Sequence, residues 1–576
     1  MFSIMTKEYR LREEIPQEID KILTPYPTLT RKLLFHRNID NVEEAERFFN
    51  PDYNLDLHDP FLLYEMDKAV ERLLKAIEKK EKIVIYSDYD ADGIPGAVIL
   101  REFIEALGHR EVENYIPHRH LEGYGLHMDA IESLAKGKTE LIITVDCGTA
   151  DYEQVKLANS LGMDVVITDH HELNGKLPEA LALINPKHPQ GGYPFDGLCG
   201  AGVVFKLIQA VLSKGDFDFK DGREKWFLDL VGVATLSDMV PLVDENRALS
   251  FFGLKVLQKS PRPGLQKLWK KLGVLQKNLR EDDITFSLAP RINAASRMDH
   301  PMDAFKLLAT KDEAEADVLS DHLNKINDER KGVVASMVKE IKKQLEKRGE
   351  LSNIVVLGNP NWKPSLLGLA ANSIMDDIGK PIFLWGRNGD NELKGSCRSE
   401  GKTNVFSLMG IAENSFSQFG GHKMAGGFSV ERNKVHTLEL DLNVAFDKMK
   451  KSEDTSTFDS KSEYIDDAIV LDDINWNFYN QIAKFSPFGV GNPKPTFLLR
   501  GVIPKILKQF GKEKNHMEIV FENSNGNKIK AISFFSSPEK FSKTPKEGVP
   551  INLIASIENS TFRSYLELRL RIVDII

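Results

Sequence analysis

The sequence predicts an α/β protein in several parts: a first domain on a mostly parallel sheet, a long connecting helix, a second α/β domain and a C-terminal all-β domain. Three patterns carry this expectation. Short apolar runs that end in acidic residues alternate with helical stretches between Ile83 and Ile184. A strongly charged stretch from Asp312 to about Arg348 keeps apolar residues at three-, four- and seven-residue spacings. Near the C-terminus, Tyr565 to Val573 alternates apolar and charged side chains. These read as βα units, one long helix and a half-buried strand.

Residues 1–60 read as an N-terminal extension of short helices; Asn41 offers a cap to a helix whose first turn carries Glu43 and Glu44. Met66 to Lys79 is a helix with Val70, Leu73, Leu74 and Ile77 on one face. Ile83-Val-Ile-Tyr is a buried strand that ends in Asp88, Asp90 and Asp92; Gly93 follows, and Ala97 to Leu107 is helical. An EF-hand is excluded, because no acidic residue occupies the twelfth position counted from Asp88 or Asp90. Leu141 to Val145 is a second strand and ends in Asp146. Asp164 to Thr168 encloses a third, which ends in Asp169-His170-His171, and Leu181 to Ile184 is a fourth. Parallel strands share one carboxyl edge, where open α/β sheets bind their ligands, so the acidic ends should converge. Between the first two strands, Ile116-Pro-His-Arg-His-Leu-Glu-Gly-Tyr-Gly-Leu reads as a loop with Arg119 as a candidate phosphate contact. Trp226 to Leu236 reads as a buried helix, with Trp226, Phe227, Leu230, Val233 and Ala234 on one face, running into Asp238. Arg291 and Arg297 stand in a small, apolar stretch, where arginines pair with acids or hold phosphate.

Beyond the long helix, Ile354 to Leu357 and Pro381 to Trp385 are strands with a helix near Ser365 to Met375 between them. Two glycine-bearing loops follow, Lys394-Gly-Ser-Cys-Arg-Ser and Phe419-Gly-Gly-His-Lys-Met-Ala-Gly-Gly-Phe. Ser396, Arg398, Ser399 and His422 there offer donors to an oxyanion. Residues 451–463 form a polar linker. The remainder fits a five-stranded barrel of the oligonucleotide-binding kind, with Lys505, Lys508, Lys512, Lys514, Lys528, Lys530 and Phe510 among apolar residues.

Lys+Arg 76 against Asp+Glu 85 gives a net charge of −9, which excludes a body coated in positive charge but leaves room for a basic groove. Cys147, Cys199 and Cys397 form no metal-binding or disulfide pattern, so a reducing compartment is expected. No signal-peptide core and no run long enough to span a bilayer is present, and the expectation is a cytoplasmic protein.

Three carboxylates within five residues resist burial without a counter-charge. Taken as one site, Asp90, Asp92, Asp146, His170 and Asp238 offer mainly oxygen donors and one imidazole, a set suited to Mn²⁺ or Mg²⁺. Four carboxylates exceed the charge of one divalent ion, so two ions are expected. Such a pair activates a water and stabilises the entering and leaving oxygens at phosphorus. His171, beside a ligand, is placed to donate to a phosphate oxygen. The chemistry read from these residues is metal-assisted phosphoester hydrolysis.

These motifs resemble the DHH phosphoesterase superfamily and, within it, the bacterial RecJ family of single-strand-specific exonucleases. Asp88-Tyr-Asp-Ala-Asp-Gly, Asp146 in Val-Asp-Cys-Gly, Asp169-His170-His171 and Asp238 in Leu-Ser-Asp-Met-Val-Pro-Leu resemble its four catalytic motifs. Pro290-Arg-Ile-Asn-Ala-Ala-Ser-Arg-Met, Gly420-Gly-His and Pro487-Phe-Gly-Val-Gly-Asn-Pro-Lys-Pro resemble accessory ones. The resemblance implies a 5′-to-3′ exonuclease that degrades single-stranded DNA to mononucleotides in recombination and repair. It implies Asp88 and Asp90 on one metal, Asp92, His170 and Asp238 on the other, Asp146 between them, and His171 on the scissile phosphate. Arg119, Ser396 and Arg398 match positions that receive the 5′ phosphate, and Arg291, Asn293, Arg297, Gly421 and His422 are the further substrate-binding candidates. The implied division is a helical extension at 1–60, a DHH catalytic domain at 61–311, a connecting helix at 312–350, a DHH-associated domain at 351–455 and an oligonucleotide-binding domain at 464–576. A helicase and a single-strand-binding protein are partners the family implies; a monomer is the default. Ser87, Pro95, Ser296 and Cys397 depart from residues usual in the family, and the last two are expected to add side chains beside the DNA. The competing readings are a DHH enzyme of short oligoribonucleotides, cyclic dinucleotides or pyrophosphate, and a non-catalytic DNA-binding scaffold.

Overall fold

The computed structural model describes residues 8–173, 175–215, 217–220, 222–388, 392–452, 463–511, 514–560 and 566–576. They fall into two compact units, one of residues 46–331 with 486–493, the other of residues 1–45, 332–485 and 494–576.

The first unit is built on a five-stranded sheet in the order Val112–Tyr115, Ile83–Ser87, Leu141–Val145, Asp164–Thr168, Ala182–Ile184, and every pairing is parallel. The edge strand Val112–Tyr115 is one more than the sequence suggests. Only its Val112 is buried, so it lacks the apolar run that marks the central strands. Those strands are covered on both faces. Ile83, Ile85, Ile143, Val145 and Val166 join one apolar cluster. Val84, Tyr86, Ile142, Val165 and Ile167 join another, as the period of two requires.

Helix Leu228–Ser237 is buried on all sides up to Leu236. Trp226 does not share its face: it sits in a preceding 3₁₀ turn, Arg223–Phe227, and is 50% exposed. Asp229 on this helix takes the guanidinium of Arg262 at 2.9 Å, and Arg262 also reaches both carboxylate oxygens of Glu102, at 2.7 and 2.9 Å, and the Leu308 carbonyl at 3.1 Å. One arginine thus ties three helices together. The same helix lies so close to Asp244–Leu257 that a Cβ on Gly232 would stand 2.7 Å from the Gly253 Cα.

The long helix runs unbroken from Glu313 to Arg348. Leu323, Ile326, Met337, Ile341 and Leu345 along it are buried.

In the second unit a five-stranded sheet runs Gln418–Gly421, Ala425–Val430, Glu392–Arg398, Ile382–Asn388, Val355–Gly358. Both stretches expected as glycine loops are mostly strand. Glu392–Arg398 pairs antiparallel on both sides, and Gln418–Gly421 with Ala425–Val430 makes a hairpin. The glycine that reads as a turn is a packing site: a Cβ on Gly395 would fall 2.0 Å from the Phe428 ring.

The C-terminal strands run Asp467–Ile469, Phe497–Val502, Ile551–Ser560, Glu567–Ile575, Lys528–Ser533, His516–Glu522, Ile506–Phe510. Phe497–Val502 and Ile506–Phe510, consecutive in the chain, stand at the two sides of four intervening strands, a mostly antiparallel set of the kind the expected barrel needs. Asp467–Ile469 is added outside it. The expectation of an all-β region misses helix Trp476–Ala483. Leu570 and Ile572 are buried as the alternation implies, whereas Leu566 precedes the strand and is exposed. Residues 453–462 of the polar linker, Lys512 and Tyr565 lie outside the described residues.

Candidate metal centre and substrate site

The carboxyl ends of the central strands are level. Asp88, Asp146 and Asp169 each donate their main-chain N–H to the neighbouring strand, to Val145, Thr168 and Ile184 at 3.0, 2.9 and 3.1 Å. This ladder carries the three motifs onto one edge. Asp90 Oδ1 accepts the N–H groups of Asp92 (2.8 Å) and Gly93 (3.1 Å), which turns the chain into helix Gly93–Ala106. Asp92 is gripped by the start of helix Gly200–Lys214, accepting from Gly200 at 2.6 Å and Ala201 at 2.8 Å. Gly200 is needed there, since its Cβ would lie 2.6 Å from that of Asp146. Asp146 itself has φ +62°, a strained conformation for a non-glycine residue of the kind that concentrates at functional sites.

Around this edge His170 Nε2 stands 3.1 Å from Asp146 Oδ1 and 3.6 Å from both Asp92 Oδ2 and Asp238 Oδ2. Asp88, Asp90 and Asp146 bring carboxylate oxygens within 4.8 Å of one another. Asp238 caps the end of helix Leu228–Ser237. All six predicted metal ligands therefore meet. Burial, and then the charge of Asp90, pushes Asp88 well above the carboxylate range and Asp92 to about 7. Burial and Asp92 push Asp146 well up and Asp238 to about 9. His170 is lowered to about 4, by burial first and then by His171, which keeps its ring neutral. The buried Oδ1 atoms of Asp88 and Asp146 have no hydrogen-bond partner. Orphaned buried oxygens, clustered like charges and a neutral imidazole are what a divalent cation satisfies, so the donor set fits the expected ions.

His171 is held differently. Its Nδ1 lies 2.8 Å from Asp169 Oδ1 and 3.1 Å from the Tyr124 hydroxyl, which in turn donates to the Asp146 carbonyl at 3.1 Å. Burial would lower its pKa, but the hydrogen bond and charge of Asp169 raise it to about 9. The ring is thus a cation at neutral pH, with Nε2 left to donate. The sequence marks Asp169 as the acidic end of the third strand but gives it no task; Tyr124 lies in a stretch read as a loop, and Thr149 and Asn185 carry no signal of their own.

The remaining candidates divide. Arg119 lies over the Tyr89 ring at 4.8 Å. Arg297 is lowered to about 9 by burial and then by Arg119, so these two cations are neighbours. Asn293 accepts from Ala91 N at 2.9 Å, bracing the acidic loop. Arg291 donates to Asn324 Oδ1 at 2.5 Å and to the Ser287 carbonyl at 2.6 Å. Ser296 is buried and bonds the Asn293 carbonyl, so it adds no side chain at the surface. The 486–493 segment docks beside Asp238: Leu242 N donates to the Val490 carbonyl at 2.7 Å, and Asn492 Nδ2 to the Pro487 carbonyl at 2.8 Å.

In the other unit, Arg398 donates to Ser396 Oγ at 3.0 Å and to the Cys397 carbonyl at 2.7 Å. Gly421 and His422 lie at the turn of the hairpin, with His422 N on the Ala425 carbonyl at 2.8 Å. Cys397 is fully buried in the apolar cluster, on the strand face opposite Ser396 and Arg398, which corrects the expectation that it crowds a ligand.

Residues 82–235 match the DHH family N-terminal domain, 351–450 the DHHA1 domain and 465–574 the RecJ OB domain. The chain is 31% identical over 555 residues to the single-stranded-DNA-specific exonuclease RecJ of Haemophilus influenzae, covering 91% of each chain. It is 34% identical over 498 residues to the protein of the same name in Bacillus subtilis, covering 86% of this chain but 62%, less than two thirds, of that one. The crystal structure of RecJ in complex with Mn²⁺ from Thermus thermophilus superposes with a TM-score of 0.80 at 24% identity, covering 99% of this chain and 79% of that one. At 31% identity the match to the Haemophilus protein covers 91% of both chains: this chain belongs to the RecJ family.

Proposed function

We propose that the chain is a metal-dependent exonuclease specific for single-stranded DNA, hydrolysing phosphodiesters from the 5′ end to 5′-mononucleotides in DNA recombination and repair. The observation that carries this reading is the sheet edge itself, where the carboxylates of Asp88, Asp90 and Asp146 crowd together and the buried Oδ1 atoms of Asp88 and Asp146 have no hydrogen-bond partner. Asp88 and Asp90 would hold one Mn²⁺ or Mg²⁺, Asp92, His170 and Asp238 a second, with Asp146 between. When bound, such ions supply an activated water and charge stabilisation at phosphorus. The protein's own groups do the rest. His171, kept cationic by Asp169, donates from Nε2 to a phosphate oxygen. Arg119, Ser396 and Arg398 are the candidates for the 5′ phosphate, Arg297 adds positive charge beside Arg119, and Asn293 keeps the acidic loop in place. Arg291, Gly421 and His422 are further candidate substrate contacts. The oligonucleotide-binding barrel, residues 464–576 in the five-part division set out above, gives the single strand a second platform.

No helix among the described residues is long and apolar enough to cross a membrane. A cytoplasmic monomer that meets a helicase and a single-strand-binding protein on DNA is the setting this reading implies.

The test uses two single-stranded DNA oligonucleotides, labelled at opposite ends, with the protein and Mn²⁺. Immediate release of the 5′-labelled mononucleotide, with gradual shortening of the 3′-labelled strand, is expected. DNA binding without cleavage in either metal would overturn the reading in favour of a scaffold. Turnover confined to short oligoribonucleotides or pyrophosphate would overturn it in favour of a small-substrate enzyme.

A further inference from the structure

Asn185 follows the fifth strand, Ala182–Ile184, at the same sheet edge that presents the acidic motifs, and is 1% exposed. An Asn-Pro pair is usually read as a turn former. A turn accounts for one of its bonds: Oδ1 accepts Lys187 N at 2.9 Å. It does not account for the amide hydrogens, which go to the His171 carbonyl at 3.0 Å and to Thr149 Oγ1 at 3.3 Å. The amide orientation is fixed by these partners, because a carbonyl can meet only the NH₂ end and an N–H only the oxygen.

Thr149 in turn donates its main-chain N–H to Asp169 Oδ2 at 3.0 Å, while Asp169 Oδ1 accepts the main-chain N–H groups of His170 and His171 at 2.8 and 3.2 Å. The main chain at His171 is therefore held from both sides, its N–H by Asp169 and its carbonyl by Asn185, with Thr149 joining the two holders. We infer that Asn185 is a positioning residue for the reaction: it fixes the His171 main chain so that the imidazole Nε2 faces the scissile phosphate. An aspartate could not replace it, since an oxygen would then face the His171 carbonyl. The inference rests on the role given to His171 above.

The experiment compares Asn185→Ala and Asn185→Asp in the full chain, alone and combined with His171→Ala. Turnover, KM, DNA affinity in EDTA and melting temperature are measured for each. Either substitution should lower kcat about 10- to 100-fold, the range for removing a group that orients another. KM and affinity should change little, and the loss of kcat, read well below each variant's melting temperature, should exceed what any fall in melting temperature accounts for. In the His171→Ala background neither substitution should cost anything further. Equal losses in both backgrounds, or losses that track melting temperature, would overturn the inference. Asn185→Asp retains the acceptor for Lys187 N, so it decides the matter if the alanine variant fails to fold: unchanged kcat would sink the proposal. Undiminished cleavage by His171→Ala alone would instead remove His171 from the phosphate and leave the exonuclease reading standing.

Discussion

The carboxylate of Asp169 sits 2.8 Å from His171 Nδ1 and accepts, through the same oxygen, the main-chain N–H groups of His170 and His171. The first residue of the motif is thus the frame on which the other two are mounted. Burial would raise the Asp169 pKa, but its bonds to His171 and Thr149 hold it below the usual carboxylate range.

This pair has a pH signature. The depressed Asp169 contributes stability above about pH 4, lost on acidification, and the raised His171 contributes below about pH 6.5. The His171 contribution is lost as the pH rises through about 9. Melting of wild type against Asp169→Asn in metal-free buffer should differ most between those two limits and narrow above pH 9, where the main-chain N–H bonds to Asp169 remain. A difference that grows with pH would contradict the assignment.

Asp146→Asn removes one of several crowded, buried carboxylates. Because burial and Asp92 hold its pKa well up, the variant should melt higher than wild type at pH 8 without metal. Wild type should gain several degrees on adding Mn²⁺ and the variant much less, as expected when a ligand binds the native state alone. Cleavage should fall below detection. Near-normal cleavage would reject the shared-ligand role.

Arg262→Met leaves Asp229 buried and stripped of its cation, on the helix that delivers Asp238. Removing one partner of such a pair costs about 3–5 kcal/mol. Denaturant unfolding followed by tryptophan fluorescence would measure it, and a loss under about 1 kcal/mol would show that Ser260 alone satisfies Asp229.

Gly253→Ala should cost about 1–3 kcal/mol through overpacking. Its Cβ would lie 2.6 Å from the Gly232 Cα and 2.8 Å from the Leu228 carbonyl. The same denaturant experiment checks it.

Where the barrel is cut should matter. Truncation before residue 464 also removes the 486–493 segment, whose Val490 carbonyl and Ser486 hydroxyl bond Leu242 and Glu281 of the first unit. A chain ending at Pro495 should keep the melting of that unit and lose DNA affinity more than saturated turnover. A chain ending at residue 463 should lose melting temperature as well. Equal melting of the two would show that the segment does not brace the Asp238 loop.

The central strands and the acidic residues clustered at their ends were legible because both are local signals. A buried parallel strand must be apolar through its length, and carboxylates at its end advertise a cation. The long helix was legible for the same reason, its period surviving over many turns. The strand Val112–Tyr115 was not, since an edge strand needs no apolar run. Glu392–Arg398 was missed because Gly395, cleared for the Phe428 ring, imitates a turn.

By itself the sequence determined the α/β class, the acidic strand ends, the Mn²⁺ or Mg²⁺ that such donors suit and the likeness to the DHH superfamily, all of which depend on residue type and short spacings. Only the tertiary structure decided that Asp169 serves His171 and that Asn185 and Thr149 complete its mounting. It alone showed that residues 486–493 pack with the first unit and that Cys397 faces a core. These are contacts between segments far apart in the chain, and nothing in a local spacing encodes which distant hydrogen-bond partner a buried polar group will find.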